Sequence, residues 1–448
     1  MRQRAGADGG EAMSTAIMKR RALGALFGLG ALALLAAVGL WLFGPVDRQD
    51  GDAPPLPAGT LTTDTRARGE QLVRLGDCRA CHTARGGAAY AGGRAVPTPF
   101  GTFYAPNITP DAETGIGQWS ADDFWRALHE GKGRDGRPLY PTFPYTNFTR
   151  VSRADADAMY AYLREQPAVR QANRAHELKF PYRFRPLLRG WRLLFFRPGV
   201  YQPDPAQSAE WNRGAYLVQG LGHCSACHEA RNALGAIRAQ DNPSGGLVLN
   251  WYAPALASRA EAGVQDWSED EIVALLKNGV SARATAMGPM AEVVYESLQH
   301  VDPAELRAIA IYLKSLHDSG VPPASGRPPP PPKVVAAMKP RGERLYREHC
   351  AQCHGDNGEG RAPAAPALAG NRAVLMNSAV DPIRIVLFGG YAPATAGNPR
   401  PYGMPPFATT LGDEQIAEVL SYVRSAWGND ARPIGGAEVR DNRGGPLW

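Results

Sequence analysis

Six cysteines and three histidines stand in the only pattern of this chain that announces chemistry. They read Cys78-Arg79-Ala80-Cys81-His82, Cys224-Ser225-Ala226-Cys227-His228 and Cys350-Ala351-Gln352-Cys353-His354, and no cysteine is left over. C-x-x-C-H is the attachment signature of c-type haem. Two thiols three residues apart add to the two vinyl groups of one porphyrin, and the adjacent His reaches the iron from the same side as its proximal ligand. Disulfides would not require a His after each second Cys. A zinc site would require further Cys or His at ligand spacing, which the sequence lacks. The pattern predicts three covalently bound haem c groups, held by Cys78 and Cys81, Cys224 and Cys227, and Cys350 and Cys353. His82, His228 and His354 are the corresponding axial ligands.

Elements that could position these motifs recur with them. An Arg-Gly pair precedes each by about the same interval: Arg68-Gly69, Arg213-Gly214 and Arg341-Gly342. Each pair opens an apolar-periodic helix that runs into the motif. Each copy closes with a second helix, acidic at its start, which complements the helix dipole. These helices cover 154–163, 302–316 and 412–427, and an aromatic followed by an aliphatic recurs in them as Tyr162-Leu163, Tyr312-Leu313 and Tyr422-Val423. The spacing predicts that this pair packs the closing helix on the opening one. A threefold internal repeat is the sequence signature of a tandem architecture. The expected domains are 60–180, 206–320 and 334–430, followed by a tail over 431–448. Prolines between Arg185 and Pro205 separate the first two copies, and 321–333, with Pro328 to Pro332 in a row, is an extended spacer before the third.

Each copy resembles a class I cytochrome c: a small helical domain of about 100 residues wrapped around a haem, whose apolar surface supplements so small a core. The fold expected is mainly α, three such domains in tandem after an N-terminal transmembrane helix. The resemblance implies that a Met from the loop before the last helix completes each iron and raises its potential. Met404, in Gly403-Met404-Pro405-Pro406, takes that place in copy three, and Met290, in Met287-Gly288-Pro289-Met290, in copy two, with Met287 its neighbouring competitor. The same offset in copy one falls on Tyr140-Pro141-Thr142-Phe143-Pro144-Tyr145, where Phe143 cannot bind iron. His129, Met159 and an open or water-bound position are the alternatives there. Haem one should therefore differ spectroscopically from the other two.

Composition sets the remaining bounds. A chain of 448 residues suggests two to four domains. The formal charge of +6 omits the haem propionates, and no run of five or six Lys/Arg occurs, so nothing favours a nucleic-acid partner. Lys19, Arg20 and Arg21 precede an apolar stretch over 22–43, long enough to span a bilayer. Residues 1–21 are expected in the cytoplasm and everything after 43 on the periplasmic side of the inner membrane. The stretch ends Leu40-Trp41-Leu42-Phe43-Gly44-Pro45, a poor cleavage site, which favours an uncleaved anchor over a signal peptide starting at Met13 or Met18.

The order of copies, with Phe100 to Pro110, Gly115-Ile116-Gly117, Leu139-Tyr140-Pro141, Trp211 to Leu217 and Gly222-His223-Cys224, resembles the cytochrome c subunit of membrane-bound quinohaemoprotein alcohol dehydrogenases and of gluconate, sorbitol and aldehyde dehydrogenases. The resemblance covers nearly everything after residue 60. It implies a non-catalytic electron-transfer subunit that takes electrons from a partner dehydrogenase of quinone-cofactor, flavin or molybdenum type and passes them to ubiquinone or the terminal respiratory chain. The substrate site would lie on that partner. Two features depart from the family: Phe143 stands where it usually has Met, and the N-terminal anchor is long. The alternatives are a carrier feeding or belonging to a terminal oxidase complex, and a haem peroxidase or sensor using an open haem one. The linker segment Gly190 to Arg197, aromatic and flanked by Arg, reads as interdomain packing or as a contact with a partner, the membrane surface or a quinone tail.

Overall fold

The computed structural model describes residues 63–237, 245–320, 327–362 and 364–444, together with Gly28, Gly30, Leu32 and Gly39, which are helical. The expected anchor over 22–43 otherwise lies outside the described residues. Among those residues, no helix is long and apolar enough to cross a membrane.

The chain begins with α1 (Thr63–Leu75), the antiparallel hairpin β1 (Ala95–Thr98) and β2 (Gly101–Tyr104), α2 (Ala121–Glu130) and α3 (Arg153–Arg164). Strand β3 (Glu177–Leu178) returns to pair with β2. Helix α4 (Leu187–Phe195) leads to α5 (Ala209–Tyr216), the hairpin β4 (Gly246–Val248) and β5 (Trp251–Ala253), α6 (Glu269–Asn278), α7 (Gly288–Glu296) and α8 (Pro303–Ser315). The last part is α9 (Pro332–His349), α10 (Val380–Phe388), β6 (Gly390–Tyr391) paired with β7 (Gly403–Met404), α11 (Asp413–Val423) and α12 (Gly436–Asp441). Each C-x-x-C-H forms a single helical turn just after α1, after the π-turn that extends α5, and after α9.

The helices start where capping chemistry permits. Ser120 and Ser268 form reciprocal capping boxes with Asp123 and Glu271, and Ser152, Ser208 and Asp302 cap α3, α5 and α8. Pro332 takes the first turn of α9, where its missing N–H costs nothing, so the expected proline spacer ends in helix. The tail after 430 is packed rather than loose: α12 lays Val439 on α11, and Arg443 pairs with Asp413.

The Arg-Gly repeat explains how opening and closing helices meet. A Cβ on Gly69 would stand 2.1 Å from the Ala158 carbonyl oxygen, one on Gly214 1.9 Å from that of Ala308, and one on Gly342 2.2 Å from that of Glu418. Only a residue without a Cβ allows this approach. The preceding arginine ties the same crossing: Arg68 donates to Asp155 at 2.6 Å, Arg213 to Glu305 at 2.7 and 2.8 Å, and Arg341 to Glu418 at 2.6 Å. Tyr162, Tyr312 and Tyr422, the recurring aromatics, lie one turn further along, with their Cβ atoms against the three glycines.

The first two units share one core, in which Val73, Val151, Leu217, Leu221, Val294 and Leu306 are buried together. Asp155, 2 % exposed, joins them by accepting from the Tyr216 hydroxyl at 2.6 Å. The third unit has its own core around Ile383, Leu387 and Ile416. It docks on the second where Asp381 accepts the Tyr252 N–H at 2.9 Å and the Thr395 hydroxyl donates to the Asn278 carbonyl at 3.1 Å.

Replacing Gly214 with Ala should destabilise the fold by about 1–3 kcal/mol, because the added methyl overlaps a backbone carbonyl that cannot rotate away. Thermal unfolding checks this, with Gly199→Ala, which meets nothing within 4 Å, as the control expected to melt like the native protein.

Candidate haem sites

The three attachment turns share one arrangement of polar atoms. His82 directs Nδ1 at the Pro106 carbonyl at 2.7 Å, His228 at that of Pro254 at 2.7 Å, and His354 at that of Pro366 at 2.9 Å. A carbonyl accepts only from a protonated nitrogen, so each ring donates from Nδ1 and keeps a lone pair on Nε2. This is how an outer hydrogen bond orients a metal-binding His. Burial pushes all three imidazoles below their usual pKa, against the opposing pull of the carbonyl, so they stay neutral near pH 7.

The thiols fit covalent attachment. All six cysteines are unpaired. Burial pushes Cys78, Cys81 and Cys224 up to about 12 and Cys350 up to about 11, so the bare protein holds them as thiols and not as thiolates for a soft metal. Among the described residues, no group of three or more Cys, His, Asp or Glu side chains could hold a metal ion. Thioether formation with one porphyrin per turn suits both facts, and the residues present fit a haem.

The carbonyl acceptors are the site residues that reading the motifs alone misses, and their signal is visible. Each Pro ends an Ala-Pro pair: Ala105-Pro106, Ala253-Pro254 and Ala365-Pro366. The first two pairs follow β2 and β5, so those hairpins deliver the acceptor. Asn107 and Thr109, 3 % and 0 % exposed, fix the first loop by bonding the chain after α3 at Val169.

The candidates for the sixth ligand have different surroundings. Met290 is half-buried on the first turn of α7 against the shared core. Met287 is the N-cap of that helix, and its methyl lies 3.1 Å from a Cβ built on Gly390 of the third unit, which places it in an interface. Met404 is half-buried in β7, paired with Gly390. Phe143 lies half-buried against the core, 5.2 Å from Phe148. His129 stacks on Trp125 at 4.5 Å with its Nδ1 on the Thr149 carbonyl at 2.9 Å. Met159 is buried at 1 % exposure within α3.

The first unit meets the second beside their attachment turns. His223, just before Cys224, faces the Gly76 carbonyl at 3.4 Å, and Asn147 donates to the Ser225 hydroxyl at 2.7 Å. Arg79, inside the first motif, pairs with Glu296 at 3.0 Å, and Arg94 holds the Ala80 carbonyl at 2.8 Å and Glu292 at 2.7 Å. Helix α7, which carries Met290, is thereby clamped to the first motif.

Comparison with known proteins agrees with this geometry. The cytochrome c family profile matches residues 66–167 and 340–427. A subunit of the nicotinate dehydrogenase of Pseudomonas putida is 43 % identical over 403 residues, which cover 88 % of this chain and 33 % of that protein, so the chain spans about a third of this relative. The cytochrome c subunit of the quinone alcohol dehydrogenase of Gluconobacter oxydans is 38 % identical over 419 residues, 89 % of this chain and 84 % of that subunit. The gluconate 2-dehydrogenase cytochrome c subunit of Pantoea cypripedii is 39 % identical over 385 residues, 82 % and 86 % of the two chains. With the last two aligned over most of both chains at this identity, the protein belongs to the family of dehydrogenase cytochrome c subunits, a family that implies covalently bound haem c.

Proposed function

We propose that the chain is a trihaem electron relay, one class I cytochrome c domain per attachment turn, serving a partner dehydrogenase. The observation that carries this is the threefold recurrence of two free thiols, a His with Nδ1 on an Ala-Pro carbonyl, and a glycine crossing behind them. Cys78 and Cys81, Cys224 and Cys227, and Cys350 and Cys353 would hold the three groups, and His82, His228, His354, Met290 and Met404 would supply ligands to their irons. Haem c supplies a one-electron couple, and a Met opposite His raises its potential. The chain's own part is positioning and tuning.

Contact between neighbouring units supports a relay rather than three independent carriers. Units one and two meet beside their attachment turns, and units two and three at Met287, the N-cap of the helix that carries Met290, and Gly390, the strand partner of Met404. A row of haems held there would take electrons from the dehydrogenase and pass them to ubiquinone or the terminal respiratory chain. Residues 22–43 anchor the chain in the inner membrane with the haem domains on the periplasmic side. A second surface supports this placement. Phe180 is 80 % exposed, Leu193 74 % and Leu194 70 %, beside Arg183, Arg189 and Arg197, while Trp191 ties α4 to the second unit through the Leu234 carbonyl. Apolar tips among arginines suit an anionic membrane surface.

Two outcomes are expected. Haem per polypeptide, measured by pyridine haemochrome absorbance against protein mass, should be three, and should fall to two when Cys350 and Cys353 are both replaced by Ala. A count of two in the native protein would sink the trihaem reading. Purification from native membranes should bring down a dehydrogenase with a quinone, flavin or molybdenum cofactor; a haem–copper partner instead would assign the chain to an oxidase.

A further inference from the structure

The internal repeat lets one unit be read against another, and the first is incomplete. Helices α2 and α6 both end on a left-handed glycine, Gly131 at φ 60° and Gly279 at φ 74°. The carbonyl of each glycine then accepts a returning amide, from Leu139 at 2.8 Å and from Ala286 at 2.7 Å. Four residues beyond these lie Phe143 and Met290. Structure and sequence spacing therefore agree that Phe143 holds the place of Met290, and its ring has no donor atom.

The other side chains that could reach across have their own work. His129 and Lys277 both stand two residues before the left-handed glycine, and both donate to the chain returning to the closing helix, His129 to Thr149 and Lys277 to Val301 at 2.5 Å. His129 is thus a tether in a position that needs only a cation or an N–H, and its stack on Trp125 holds it there. Met159 directly follows Ala158, whose carbonyl meets the crossing glycine; the residues following Ala308 and Glu418 are Ile309 and Val419. All three are core residues, 1 %, 5 % and 2 % exposed, so Met159 fills a position that an aliphatic fills elsewhere. His176 accepts the Tyr104 N–H on Nδ1 at 3.1 Å, so its remaining nitrogen carries the proton, and its ring lies 5.3 Å from Phe103 and 5.4 Å from Tyr140.

Resting on the reading that each attachment turn holds a haem, we infer that the first haem has no sixth protein ligand and is a binding site for a small exogenous molecule beneath Phe143. With the apolar ring of Phe143, packed on Phe148, in the place of a ligand, the position favours a neutral π-acceptor, such as carbon monoxide or nitric oxide on ferrous iron, over a charged ligand that would have to shed its water. The bond formed is a dative one to iron, and no protein group has to leave.

The probe is carbon monoxide added to the dithionite-reduced, fully haem-loaded protein. Haem is counted first: fewer than three per chain overturns the reading beneath this one, and this one with it. With three present, one third of the haem should form the carbonyl adduct, seen in the Soret band. That third should remain in His129→Gln, Met159→Leu and His176→Gln. It should disappear in Phe143→Met, which supplies the missing sulfur, and bind carbon monoxide faster in Phe143→Leu, which removes the ring without adding a donor. Three haems with no adduct in the native protein, or an adduct indifferent to both substitutions of Phe143, would overturn the proposal, as would a native adduct below one third that a His or Met variant raises to one third.

Discussion

Everything in each unit hangs on one close approach, the glycine of the opening helix pressed against a carbonyl of the closing helix. The contact fixes the depth of the crossing, because no side chain separates the two backbones. The arginine before the glycine fixes the rotation, because it must reach an acid on the closing helix. The attachment turn then emerges at a set distance along the opening helix, and the loop that closes over it returns at a set place on the other. The thiols and the neutral imidazole of each attachment turn are thereby set in place relative to the closing helix.

That placement is specified by hydrogen bonds as well as by apolar packing. A proximal His must present one bare nitrogen, and the Pro carbonyl secures this by occupying the other. The carbonyl in turn is placed by a hairpin in the first two units and by a loop in the third. In the first unit, the buried amide of Asn107 and hydroxyl of Thr109 tie that loop to the chain behind it. Such a network restrains the imidazole through groups far from it in sequence.

The units are not beads on a string. The first two share a core, and the buried carboxylate of Asp155 accepts from an arginine of its own unit and from a tyrosine of the next. A buried acid with several partners is costly to disturb, since removing any partner leaves charge uncompensated. The ion pairs from Arg79 and Arg94 to α7 couple the attachment turn of one unit to the helix bearing Met290 in the next. A change at this interface therefore reaches both the first attachment turn and α7.

Local chemistry was legible along the chain before any fold was known: the thiol–thiol–His turns, the helix starts at serines and aspartates, and the threefold period that located Met290, Met404 and the anomaly at Phe143. These features can be read because covalent attachment, capping and periodicity act over a few residues. The Ala-Pro pairs that orient the histidines were present too, but gained meaning once the fold placed them. Other outcomes belong to the assembled structure: which partners the arginines choose, that α4 and the tail are packed elements, that His129 stacks on Trp125 and that Met159 is buried. They depend on contacts between residues about twenty to two hundred positions apart, such as His129 with Thr149 or Arg94 with Glu292. Spacing along a chain carries no record of such distances; only the crossing of the helices brings the groups together.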